Sequence, residues 1–127
     1  MAPHAIDHVL LLTDDVEATR AFYCDVLGFE VGGRPPLPFA GCWLYTGSAP
    51  SLHVADRAEY AAWAAGIGLH VDAAVDHVAF AAGDYDELVE RLRAAGVDAT
   101  PNEVPGLMRQ LYVTDPNGVR IEVNVRS

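Results

Sequence analysis

Lysine is absent from this chain: all eight basic residues are arginines, set against 18 acidic ones for a net charge of −10. That balance excludes the basic surface a nucleic-acid partner needs for counterion release, and it repels anionic membranes. Long apolar runs are also missing. The first, Val9 to Leu12, is far too short to cross a bilayer, and no basic leader precedes it. Cysteine is scarce: Cys24 and Cys42 stand alone, without metal-type spacing, and read as free thiols of a reduced cytoplasm. What remains is a composition suited to a folded domain, with 51% hydrophobic and 20% charged residues across 127 positions. A chain of that length fits one domain, 1–127, with a single core.

The sequence repeats itself. Asp7-His8-Val9 falls on Asp76-His77-Val78, and Asp15 on Asp84, at an offset of 69. Leu27-Gly28 matches Ala95-Gly96, Trp43-Leu44-Tyr45 matches Gln110-Leu111-Tyr112, and Leu52-His53-Val54 matches Ile121-Glu122-Val123. Ordered matches with a drift of one or two residues are what a duplicated unit with altered loops produces. Each half predicts βαβββ, within an α+β chain of two tandem modules at about 5–56 and 74–126 joined by a linker at 57–73. An apolar strand opens each half, at 5–12 and 74–82. Asp15 and Asp84 are N-caps for the helices, and Gly28 and Gly96 stop them. Short strands at 29–32 and 97–100 lead into proline-rich loops. Paired strands follow at 41–47 with 51–56, and at 108–114 with 119–126. In the second pair, Asn117-Gly118 offers positive φ for the turn. Alanines and Trp63 predict a short helix in the linker.

Strand alternation then sorts the side chains. Leu52 with Val54, and Ile121 with Val123, belong to the core face, so His53 and Glu122 point the other way. Val9 and Leu11, and Val78 and Phe80, leave His8 and His77 on that same opposite face, where Ala79 and Ala81 make room for a ligand. Leu44 and Leu111 read as core, which turns Trp43, Tyr45, Gln110 and Tyr112 toward the polar face as candidate substrate contacts. Matched positions in the two halves thus carry His8, His53, His77 and Glu122, three imidazoles and one carboxylate. Such groups bind iron, zinc, nickel, manganese or cobalt. Asp7 and Asp76 project away from that set. His4 has no partner in the repeat, and His70 falls in the linker.

The segments IDHVLLLTDDVEATRAFYCDVLGFE, SLHV, VDHVAF and LYVTDPNGVRIEVNV resemble the vicinal oxygen chelate superfamily, which holds the glyoxalases, bleomycin-resistance proteins and extradiol dioxygenases. The resemblance spans nearly the whole chain. It implies metal ligands at the histidine opening each module and in the fourth strand of each, here His8, His53, His77 and Glu122. It departs from glyoxalase I in carrying His53 where glutamate is usual, and Val9-Leu10-Leu11-Leu12 where an arginine holds the glutathione carboxylate. Leu10 stands where fosfomycin thiol transferases have threonine. Asn102 to Met108 contain no counterpart of the dioxygenase acid/base histidine.

Two functions follow. One is a metal enzyme, an isomerase, lyase or dioxygenase, that chelates a small substrate through neighbouring oxygens. In it His53 serves as fourth ligand or general base, Tyr112 donates to an oxyanion, and Trp43 and Tyr45 pack on an apolar part of the substrate. The other is a metal-free, bleomycin-resistance-type protein that sequesters a drug, for which a charge of −10 suits a cationic ligand. Relatives of this size imply a homodimer.

Overall fold

The computed structural model describes residues 5–71 and 77–127. His4, Asp76 and the start of the strand expected at 74–82 lie outside the described residues. The chain divides into two compact units, Met1–Asp72 and Ala73–Ser127.

In the first unit β1 (Val9–Thr13) is followed by α1 (Val16–Ala21), which widens into a π-helical turn over Phe22–Val26. Strands β2 (Glu30–Gly32), β3 (Gly41–Thr46) and β4 (Ala49–Asp56) follow, and α2 (Arg57–Gly66) occupies the linker where the alanines predict it. The second unit repeats the plan with β5 (His77–Ala81), α3 (Tyr85–Ala94), β6 (Thr100–Val104), β7 (Met108–Thr114) and β8 (Arg120–Arg126). The sheets have one topology, β1-β4-β3-β2 and β5-β8-β7-β6, with the first strand of each parallel to the fourth. This is the tandem βαβββ architecture the duplication predicts.

The punctuation residues act as expected. Asp15 accepts from the Ala18 amide at 2.9 Å, and Asp84 from the Glu87 amide at 3.0 Å, each satisfying one free donor of a helix start. Gly28 and Gly96 close the helices with φ of 86° and 68°, where a side chain would be strained. Two expectations are corrected. The strand expected at 97–100 runs instead from Thr100 to Val104 and includes Pro101, opposite Leu111. It is the edge strand of its sheet, where a residue lacking an N–H is tolerated on the open side. At Asp115-Pro116-Asn117-Gly118 only Gly118 has positive φ, at 82°, and Asn117 does not. The turn closes through the Gly118 amide on the Asp115 carbonyl at 3.1 Å, while the buried Asp115 carboxylate accepts from the amides of Asn117 and Val119.

Alternation places most of the core as read, with Val9, Val78 and Phe80 only half-buried. Leu11, Leu44, Leu52 and Val54 are buried in the first unit, with Phe22, Tyr23 and Phe29 from the helical segment and the residues after it. Leu111, Val113, Ile121 and Val123 are buried in the second, with Leu88 and Leu92 of α3. Burying such side chains stabilises by about 1.5–3 kcal/mol each, which fixes strand register, because a one-residue slip would turn them to the other face.

Candidate functional site

In the first unit the cross-strand register aligns Trp43 of β3 with His53 of β4. His8 lies immediately before β1. The three rings form a continuous stack. His53 lies 3.9 Å from Trp43 at an interplanar angle of 8°, and 3.8 Å from His8 at 13°. The His53 ring donates to the Pro50 carbonyl, while its Nε2 is buried with no partner. That bond is therefore made by Nδ1. The ring proton sits on Nδ1, and Nε2 presents a bare lone pair, the tautomer a metal ligand or a general base requires. Burial first, and the His8 ring second, hold the His53 pKa below its ordinary value. His8 is oriented differently: its Nδ1 meets the Asp7 carboxylate at 2.6 Å, so its Nε2 is the nitrogen turned outward. The hydrogen bond to His8 also lowers the Asp7 pKa. Asp7 thus serves as an orienting group for the neighbouring ring.

Tyr45, expected among the substrate contacts, is engaged with its own unit through its hydroxyl. Its hydroxyl donates to the Gly33 carbonyl at 2.6 Å, and its ring covers Gly32, where an added Cβ would lie 2.4 Å from the ring edge. The tyrosine ring packs over β2, and a side chain at position 32 would require that ring to shift.

In the second unit His77 and Glu122 share a face, since Ala79 is the partner of Glu122 and His77 is two residues before it. His77 Nε2 lies 3.6 Å from Glu122 Oε1. Tyr112 stands directly opposite Glu122, and the neighbouring carboxylate is the first cause holding the tyrosine pKa above its ordinary value. Gln110 is 5% exposed, and both ends of its amide are engaged: Oε1 accepts from Asn102 at 2.6 Å and from the Tyr112 hydroxyl at 3.3 Å, while Nε2 donates to Asn124 at 3.0 Å. Asn124 in turn donates to Glu122 Oε2 at 2.8 Å. The sequence alone gives no role to Asn124 or Asn102, although alternation along β8 puts Asn124 on the face of Glu122. Nor does it single out Arg34, whose Nη2 donates to the Phe39 carbonyl at 2.6 Å while Nε is buried without a partner.

The structure therefore brings together His8 with His53 and Trp43 in one unit, and His77 with Glu122 and Tyr112 in the other. Among the described residues, no group of three or more histidine, cysteine, aspartate or glutamate side chains forms a metal cluster. Within each pair the donor chemistry suits a divalent ion: a bare imidazole nitrogen beside a second, carboxylate-oriented imidazole, and an imidazole beside a carboxylate. His70 lies past the end of α2, outside any strand.

A family model for the Glyoxalase/Bleomycin resistance protein/Dioxygenase superfamily matches residues 5–123. A glyoxalase-family protein from Bacillus anthracis is similar at 25% identity and a TM-score of 0.77, over 100% of this chain and 98% of that one. A lactoylglutathione lyase from Agrobacterium tumefaciens is similar at 29% identity and a TM-score of 0.76, over 98% and 95%. An antibiotic-binding protein from Streptomyces shares the fold at 21% identity and a TM-score of 0.74, over 100% of this chain and 99% of that one. The chain matches no curated protein sequence.

Proposed function

Because the chain belongs to the glyoxalase/bleomycin resistance protein/dioxygenase superfamily, we propose that it is a metal-dependent enzyme acting on a small substrate that offers two neighbouring oxygens. The candidate ligands are His8 and His53 in the first unit and His77 and Glu122 in the second. The observation that carries this reading is His53. A buried imidazole nitrogen with a bare lone pair is costly unless something binds it, and the ring is held in the tautomer that binding needs. When bound, the ion supplies Lewis-acid stabilisation of charge developing on the substrate oxygens.

The chain's own groups do the rest. Trp43 pins the His53 ring by stacking, so the lone pair points in one direction. Asp7 orients His8 through Nδ1. Tyr112 keeps its hydroxyl proton at neutral pH, as a phenol ordinarily does, and the Glu122 carboxylate beside it disfavours the phenolate further. The lowered pKa of His53 keeps its ring unprotonated at neutral pH, so its lone pair is free for a ligand, at the cost of weaker basicity. The protein works as a cytoplasmic homodimer.

The test is turnover. Chelator-stripped protein is assayed against hemithioacetals and against catechols, before and after addition of nickel, zinc or ferrous ion. Turnover of one class only after an ion is restored supports the reading. Retention of a drug-like ligand with no turnover and no ion requirement replaces it with ligand sequestration, the second reading, the Streptomyces neighbour being named for antibiotic binding. Mixing a His8 variant with a Glu122 variant then asks whether ligands come from two chains, restored activity answering yes.

A further inference from the structure

Three amides occupy one row across the second sheet. Asn102 of β6 is the partner of Gln110 of β7, and Gln110 is the partner of Asn124 of β8. The row ends on β5 at Ala81, opposite Asn124, whose methyl group offers no competing hydrogen bond. The chain of bonds therefore turns along β8 to the neighbouring row and ends on Glu122. Every step donates in one direction: Asn102 Nδ2 to Gln110 Oε1 at 2.6 Å, Gln110 Nε2 to Asn124 Oδ1 at 3.0 Å, Asn124 Nδ2 to Glu122 Oε2 at 2.8 Å. The carboxylate sets that polarity, because a reversed amide would turn its carbonyl oxygen against Oε2. The other oxygen, Oε1, is left on the side of His77.

We propose that Asn124 and the buried Gln110 are positioning residues for the Glu122 carboxylate, holding Oε2 so that Oε1 is the oxygen offered to a ligand. Gln110 is thereby assigned to the support of the site and not to substrate contact. Its influence on Glu122 passes mainly through Asn124, with the longer Tyr112 bond as a second route. The consequence for metal binding rests on the function proposed above. The mechanical coupling does not.

Zinc affinity, measured by competition with a chromophoric chelator, is the first readout. The variants are Gln110→Met and Asn124→Leu, which keep volume and remove the donors. Each is expected to weaken binding by about 10–100-fold. The double variant should be no worse than the poorer single one, because both cut one chain. The same non-additivity should persist in a Tyr112→Phe background. A Gln110→Met protein with unaltered affinity, or losses that multiply, overturns the proposal. If the wild-type protein binds no zinc, the proposed function fails alone, and the relay is read in urea denaturation instead. The midpoint losses of Gln110→Met and Glu122→Gln then fail to add, although the two side chains share no direct bond. Strict additivity there also overturns it.

Discussion

One ion held by both His53 and His8 requires the two rings to separate. The two rings are nearly parallel, 13° apart, with centroids 3.8 Å from each other. An imidazole nitrogen binds a metal in the plane of its ring at about 2.0–2.1 Å. Parallel planes at this separation share no such point, so one ring has to turn. His53 is held on its other face by Trp43 at 3.9 Å and at its edge by Pro50, whereas His8 is tied only to the exposed Asp7. His8 is therefore the ring that moves. The lost stacking costs about 0.5–1.5 kcal/mol, which weakens the ion's affinity by about two- to tenfold relative to a site already open. Ring protons report this in NMR spectra of the protein titrated with diamagnetic zinc. The His8 ring signals should move downfield as they leave the His53 face, while those of His53 keep the upfield position that Trp43 imposes. Zinc bound with the His8 signals unmoved, or with His53 losing its Trp43 shielding instead, would refute the reasoning.

Gly41→Ala places a Cβ about 2.0 Å from the Val54 carbonyl oxygen, a backbone atom that cannot step aside. A loss of about 1–3 kcal/mol is expected, read by urea denaturation, and an unchanged midpoint would show that β3 and β4 are not this close. The pH dependence of stability carries a sign. The folded-state pKa of His53 lies below its unfolded value, so the unfolded chain binds the extra proton. Its contribution costs nothing above the unfolded pKa near ~6.5, is lost as pH falls below that, and levels off beneath the folded pKa. His53→Gln should flatten the fall in melting temperature between neutral and mildly acid pH in metal-free protein. A slope identical to wild type would place the burden on other groups.

Much of this was legible in the sequence because strand alternation and duplication are strong signals. Leu52, Val54, Ile121 and Val123 fixed which way His53 and Glu122 point, since burying four apolar side chains outweighs any local preference of the polar residues between them. Pro101 misled the placement of β6, because a proline reads as a break unless the strand is known to lie at an edge. Asn117-Gly118 suggested two residues of positive φ where Gly118 alone uses it, the buried Asp115 carboxylate having fixed the rest of the turn. Tyr45 and Gln110 share the polar face with the candidate ligands, yet alternation assigns only a face. Which neighbours a side chain there meets depends on the surrounding elements: the Gly33 carbonyl just past β2 for Tyr45, Asn102 and Asn124 across the sheet for Gln110. The widened turn at Phe22–Val26 left no sign in the residues that form it.

Metal content is the most direct measurement of the central claim. Untagged protein, dialysed against a mixture of divalent ions and then against buffer, is analysed for elements alongside His53→Gln and Glu122→Gln. The account predicts about one ion per chain in the wild-type protein and a marked loss in both variants. Wild-type protein as empty as the variants, with all three folded, would contradict it.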